Sequence, residues 1–67
     1  MSEVKYPNVK VRLTGRDGNA YAIMGAVSMA LRLANVSKEE IGEYRKESMA
    51  GDYDNLLQVA DRWVVVL

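Results

Sequence analysis

The first regular pattern along the chain is an alternation of apolar and basic residues. Residues 9–13 read Val-Lys-Val-Arg-Leu, so the two valines and the leucine fall on one side and Lys10 and Arg12 on the other. A period of two residues is typical of a half-buried β-strand. We therefore predict a strand over residues 9–13, preceded by a loosely ordered N-terminal arm at residues 1–8.

A long run rich in Ala, Leu and Met follows at residues 20 to about 35, and it contains no proline and few β-branched residues. This composition predicts a helix. When the helix is turned by about 100° per residue, its polar positions and one glycine form a single narrow stripe: Tyr21, Gly25, Ser28, Arg32 and Asn35. The rest of the surface is apolar and wider than the one stripe that a surface helix normally buries, so it needs two packing partners.

The segment Ser37-Lys38-Glu39-Glu40 predicts the start of a second helix. It has the form of a capping box, with Ser37 at the N-cap and Glu40 at the third helical position. The helix is expected to run to about residue 50, with Gly51 as a plausible C-cap. Most of its surface is charged, and the side chains expected to face inward are Ile41, Tyr44, Ser48 and Met49.

A third helix is predicted from residue 52 or 54, because apolar residues recur at helical spacing on one side of it: Tyr53, Leu56, Leu57, Ala60 and Trp63. Residues 63–67 read Trp-Val-Val-Val-Leu, and this density of β-branched residues favours a terminal strand. The sequence leaves open whether Trp63 ends the helix or begins the strand.

These elements predict one small α+β domain over residues 1–67, in the order β-α-α-α-β, with two terminal strands beside a helical layer. A two-stranded ribbon is marginally stable in water, so we expect oligomerisation to complete the sheet. The alternative is a monomer whose second and third helices cover both apolar flanks of the first. The residues expected at an interface are Ala22, Ala26, Met29 and Leu33 on the first helix and Trp63, Val64 and Val66 near the C-terminus.

The amino-acid composition excludes several classes of catalytic and metal site and disfavours some kinds of partner. The chain has no His and no Cys, so Ser-His and Cys-His nucleophile pairs and thiolate metal sites are excluded. The glutamates of the second helix alternate with basic residues, as on a solvated face, and Asp52-Tyr53-Asp54-Asn55 lacks the later ligands of a calcium loop. We expect no enzymatic activity, no cofactor and no metal. A formal net charge of +0 disfavours general attraction to nucleic acid or membranes.

The segment LTGRDGNAY, between the first strand and the first helix, is the candidate ligand loop. Glycines beside a helix N-terminus leave backbone amides open to an anion, and nearby cations would assist. The candidate binding residues are Lys10, Arg12, Gly15, Arg16, Gly18, Asn19 and Tyr21. The glycine spacing matches neither the Walker nor the dinucleotide motif, and Asp17 is repulsive to phosphate. The sequence favours a structural turn, in which Asp17 or Asn19 caps the helix.

A resemblance to other proteins spans residues 9–66. It rests on three longer segments: DGNAYAIMGAV, VSKEEIGEYRKE and GDYDNLLQVADRWVVV. The chain resembles short phage- and prophage-type proteins with an Asp-Gly-Asn-Ala turn and a Gly-Asp-Tyr-Asp-x-Leu-Leu segment. The resemblance brings no residue roles. It implies a phage or mobile-element accessory protein, such as an anti-defence factor or a small regulator.

The leading hypothesis is a non-enzymatic homo-oligomeric binding module that sequesters a nucleotide-type ligand or blocks a host factor. One alternative is a protein-interaction inhibitor acting through Tyr21 and Arg32 without a small ligand. Another is a small nucleic-acid-binding regulator that uses the Lys10 and Arg12 face. Because the N-terminal residues lack the apolar core of a signal peptide, we expect a cytoplasmic location without membrane contact.

Overall fold

The computed structural model describes residues 4–13 and 19–67. The elements follow in the order β1 Tyr6–Val11, α1 Ala20–Leu33, α2 Lys38–Ser48, α3 Tyr53–Trp63 and β2 Val64–Val66. The predicted β-α-α-α-β order is confirmed. The two strands pair with each other in parallel and form a two-stranded sheet.

The first strand lies earlier in the chain than the alternation predicts. It begins at Tyr6 and ends at Val11, so residues 6–8, which were assigned to a loose arm, belong to the strand. Tyr6 is opposite Val64 and Val11 is opposite Val66, with an irregularity on β1 between Tyr6 and Lys10. Pro7 lies in this irregular stretch and has no backbone N–H to donate to a ladder, so a period-two pattern does not extend through it.

Side-chain oxygens cap all three helices at their N-termini. The Asn19 side chain accepts from the Tyr21 backbone N–H at 2.8 Å, so Asn19 is the cap of α1. Ser37 accepts from the Glu40 N–H at 3.2 Å, and Asp52 accepts from the Asn55 N–H at 3.0 Å. The predicted cap of α2 is confirmed, Asn19 is the one of the two candidates that caps α1, and Asp52 caps α3.

A tight left-handed turn joins α1 to α2. Asn35 has a φ of 66°, a conformation that Asn tolerates better than most residues. The Val36 N–H donates to the Leu31 carbonyl at 3.0 Å and closes the turn. The helix therefore ends at Leu33, two residues before the predicted end, and α2 packs back along α1.

The main core lies between the strands and the three helices, and its buried members are Val9, Val11, Val27, Leu31, Tyr44, Val59, Ala60, Trp63 and Val64. Trp63 is the last residue of α3, and it and Val64 are buried within the single chain. Their assignment to an intermolecular interface is therefore wrong, because this chain's own core already covers them. Met49 was expected to face inward, but α2 ends at Ser48 and Met49 is 60% exposed.

None of the helices in the described part of the chain is both long enough and apolar enough to span a bilayer.

Candidate functional site

The predicted ligand loop falls largely outside the description of the structure. Gly15, Arg16 and Gly18 lie in residues 14–18, which are not among the described residues. Lys10 is exposed on β1, Arg12 is exposed directly after it, and Tyr21 is 72% exposed in the first turn of α1. The side-chain oxygen of Asn19 already accepts the hydrogen bond of the Tyr21 backbone N–H at this helix terminus. One of the N–H donors that an anion would use is therefore occupied by the chain itself.

A groove lies between α1 and α2 on the described surface. Its volume is about 350 Å³ and it is open to solvent on one side. Each helix contributes four residues at positions i, i+3, i+4 and i+7, which lie on one helical face. The lining residues are Gly25, Ser28, Met29 and Arg32 from α1 and Lys38, Ile41, Gly42 and Arg45 from α2.

Two helix-interior glycines make room for the groove. Gly25 lies within α1 and Gly42 within α2, and a Cβ atom built at either position would meet no atom within 4 Å. Helix packing therefore does not require either glycine. By contrast, a Cβ at Gly51, just after α2, would approach the Asn55 Cβ to 2.9 Å, so close packing does explain that glycine.

Three cationic side chains border the groove, and no described residue that lines it is acidic. Arg32 comes from the last turn of α1, while Lys38 and Arg45 come from the two ends of α2. Lys5 pairs with Glu40 at 3.1 Å, whereas Arg32, Lys38 and Arg45 form no ion pair with another described residue. The described lining of the groove therefore carries three positive charges and no negative one.

Ser28 lies in the same wall of the groove. Its Oγ is buried and has no hydrogen-bond partner among the described residues. In mid-helix a serine commonly donates to the carbonyl four residues earlier, but that bond is not formed here. Because the Oγ atom itself is closed to solvent, the hydroxyl is not offered to a ligand in the groove.

The chemistry of this site is that of binding. The three cations complement an anion, while Met29 and Ile41 offer apolar contact beside them. The described lining residues include no carboxylate that could act as a base for Ser28. Among the described residues no cluster of acidic side chains is arranged to hold a metal ion.

The second cavity lies where the N-termini of α1 and α3 meet the C-terminus of α2. It has a volume of about 290 Å³ and is lined mainly by apolar and aromatic side chains. Tyr21, Met49 and Tyr53 are exposed around it, and Met24 and Leu56 are buried beneath. Asp52, the one charged residue among the described residues of its lining, is already engaged as the cap of α3. The described lining of this cleft suits an apolar side chain and includes no cation.

The remaining predicted interface residues differ in exposure. Ala22 is exposed, Met29 is 53% exposed and Leu33 is 76% exposed, whereas Ala26 and Val66 are partly buried against the core.

Sequence reasoning placed Gly25, Ser28 and Arg32 on one polar stripe but missed their partners on α2. Lys38 and Arg45 were interpreted as part of a solvated charged face. The signal that could have identified them is the repeat of the same i, i+3, i+4, i+7 spacing, with one glycine and at least one cation in each set.

Comparison of the chain with protein-family models, with curated proteins and with solved structures finds no match in any of the three.

Proposed function

We propose that the chain is a small non-enzymatic binding module that holds an anionic ligand of the nucleotide class in the groove between α1 and α2. The observation that carries the proposal is the pair of glycines, Gly25 and Gly42, facing an open groove whose described lining has three cations and no carboxylate. In the phage-type setting that the resemblance implies, such a module would sequester a nucleotide signal of host defence.

The glycines support an occupant because they are unfavourable for the folded state alone. A glycine in a helix interior destabilises it by about 0.5–1 kcal/mol relative to alanine. Neither Gly25 nor Gly42 is needed for close packing, since a Cβ at either position would meet open space. A ligand that fills this space in the bound state accounts for both.

The nucleotide class follows from the mixture of groups. Arg32, Lys38 and Arg45 complement the charge of phosphate oxygens, to which Arg can donate two parallel hydrogen bonds. The apolar sides of Met29 and Ile41 complement the flat, weakly polar surface of a base. The groove volume of about 350 Å³ is at the lower end for small-molecule sites, which fits a mononucleotide better than a larger cofactor.

Native mass spectrometry with a panel of linear and cyclic nucleotides tests the proposal. We expect one class of nucleotide to bind in a fixed ratio to subunits and to bind at least about tenfold more weakly to an Arg32→Ala/Arg45→Ala variant, because charge-assisted hydrogen bonds are among the stronger polar contacts. Lys46→Ala is the matched control, since Lys46 is an exposed cation of α2 that does not line the groove.

A second variant tests whether binding needs the open space of the groove, and it leaves the charge of the groove unchanged. Gly42→Leu fills the groove without a clash at Cβ, so it should abolish nucleotide binding while the helix content stays unchanged. Circular dichroism checks the fold of each variant. A clean protein mass across the whole panel, or binding that survives both groove variants, would refute the proposal.

A second candidate function rests on the apolar cleft. Tyr21 is 72% exposed at its edge, and aromatic residues at exposed clefts are frequent anchors of protein interfaces. In this case the chain would act as a protein-interaction inhibitor without a small ligand. A specific host protein retained on the immobilised chain, and lost on Tyr21→Ala but not on Arg45→Ala, would favour this function over nucleotide binding.

A further inference from the structure

An exposed apolar stripe runs along the outer face of α1. It consists of Ala22, Ala26, Met29 and Leu33, whose spacings of four, three and four residues place them in one line on a helix, with Ala26 partly buried and the other three exposed. Met29 is 53% exposed and Leu33 is 76% exposed, so α2 and α3 leave this face uncovered. The core side of the same helix buries Ile23, Met24, Val27 and Leu31. An apolar seam with this spacing is the kind that packs against another helix.

We infer that the stripe binds a second copy of the chain, with the two α1 helices antiparallel across a two-fold axis. The stripe has two small residues at its N-terminal end and two large ones at its C-terminal end. Antiparallel pairing places Leu33 of one copy against Ala22 of the other, and Met29 against Ala26. Small residues then meet large ones along the whole contact, whereas parallel pairing would crowd the large residues and leave a gap between the alanines.

The polar flank of the stripe is complementary to itself in the same arrangement. Arg32 is the only charged residue of α1, and it lies eleven residues after Tyr21, so the two share one flank of the helix. In the antiparallel pair, Arg32 of one copy lies within about 3 Å of Tyr21 of the other along the helix axis. A guanidinium beside an exposed tyrosine ring forms a favourable cation–π contact, and the two-fold axis makes it twice.

The surface area that the stripe and its flank can bury limits the affinity expected for the dimer. A stable interface of standard size buries about 800 Å² per partner, roughly a sixth of the 4729 Å² that the chain exposes. One helical stripe with its flank supplies less than this. The dimer should therefore dissociate in the micromolar range, as small reversible interfaces do.

The pairing also changes the groove between α1 and α2. Met29 and Arg32 belong to both the contact and the groove lining, so the second copy brings its Tyr21 to the Arg32 end of the groove. This consequence rests on the proposed function, whereas the dimer itself does not. If the groove holds a nucleotide, the Tyr21 ring of the second copy forms a wall beside the base, and ligand binding strengthens the dimer by linkage.

Sedimentation equilibrium of the ligand-free protein over a concentration series tests the dimer by itself. We expect a monomer–dimer equilibrium for the full chain and at least about a tenfold weaker dimer for Leu33→Lys, because this variant puts a charge into the contact. Met49→Lys is the control, since Met49 is 60% exposed but lies at the other cavity, away from the stripe. It should leave the dimer unchanged.

A charge swap tests the antiparallel direction. The double variant Ala22→Glu/Leu33→Lys places the introduced carboxylate of one copy against the introduced ammonium of the other only if the helices are antiparallel. It should therefore dimerise more tightly than Leu33→Lys alone. A parallel pair would put like charges together and weaken the dimer further. A strictly monomeric wild-type protein, or a dimer unaffected by Leu33→Lys, would overturn the inference whether or not a nucleotide binds.

Discussion

Trp63, the last residue of α3, contacts side chains of both β1 and α2. The Tyr6 ring stacks on it at a centroid distance of 5.9 Å, and the Tyr44 ring meets it edge-on at 5.7 Å. Its indole N–H donates to a Glu47 carboxylate oxygen at 3.1 Å, and the Lys5 ammonium lies 4.1 Å from the ring centroid. One side chain at the end of α3 therefore fixes β1 and α2 together. As the only tryptophan, it also reports unfolding by fluorescence.

Tyr44 contributes its ring to this cluster but not its hydroxyl. The residue is fully buried, and its Oη forms no hydrogen bond among the described residues, since the nearby Ser48 hydroxyl donates to the Tyr44 backbone carbonyl at 2.9 Å. Burial raises the pKa of the phenol, and the Ser48 side chain opposes this with a smaller effect. Because Tyr44→Phe keeps the ring contact and removes the unsatisfied group, we expect it to raise the free energy of unfolding by about 1 kcal/mol. Urea denaturation followed by Trp63 fluorescence measures this. A comparable loss of stability would show that the hydroxyl has a partner.

Acid stability depends on the carboxylate of Glu40. It accepts a 2.6 Å hydrogen bond from the Tyr6 hydroxyl and pairs with Lys5, and both contacts lower its pKa in the folded state. A lowered folded-state pKa means that the stabilisation is present above the ordinary glutamate range and is lost as the pH falls through the folded-state pKa.

Tyr6→Phe removes the contact with the largest effect on the Glu40 pKa. We therefore expect the variant to lose less stability than the wild type between neutral pH and pH values below the glutamate range. Urea unfolding at both pH values measures the difference. An equally steep decline in the variant would place the acid sensitivity at other carboxylates.

These contacts of Trp63 and Glu40 could not be predicted from the sequence. The capping-box pattern placed Glu40 at the third position of α2 correctly, because capping depends on neighbours within four residues. The Tyr6 and Lys5 partners of its side chain are more than thirty positions away. Trp63 was assigned to an interface for the same reason. Its neighbours Tyr6 and Tyr44 lie on other elements and can be identified only when those elements are packed together.

Among the elements, the helices followed the sequence closely and the first strand did not. Composition and capping residues determine where α2 and α3 begin, and these signals are local. The limits of β1 depend on its pairing with β2, which supplies the partner for Tyr6 and ends at Val66. The parallel direction of this pairing follows from the path of the three helices that connect the strands. It cannot be predicted from the residue pattern within either strand.

The groove glycines give a prediction about the two helices that form it. Gly25→Ala and Gly42→Ala should each raise the free energy of unfolding by about 0.5–1 kcal/mol, because alanine favours the helix and its Cβ meets open space. Gly51→Ala should destabilise the protein, because its Cβ would approach Asn55 to 2.9 Å. Urea denaturation compares the three. Loss of stability at both groove positions would mean that the glycines serve the fold, and the argument for an occupant would fail.

At the scale of the whole molecule, the groove and the exposed stripe are neighbouring surfaces of α1 that share Met29. The sequence indicated surplus apolar surface on the first helix, and the exposure of Met29 and Leu33 agrees with this. It could not reveal the groove, because Lys38 and Arg45 acquire a shared role only when the turn at Asn35 brings α2 back along α1. Cationic side chains that would only be solvated on a single helix border a groove once a second helix packs beside them.

Nuclear magnetic resonance of the backbone amides, recorded during titration with the nucleotide selected by mass spectrometry, locates the bound ligand on the chain. We expect shifts at both groove glycines, Gly25 and Gly42, and at Arg32 and Arg45, with Gly51 unaffected as an internal reference. Shifts confined to residues 14–18, or to the cleft around Tyr53, would place the ligand elsewhere and contradict the groove as the binding site.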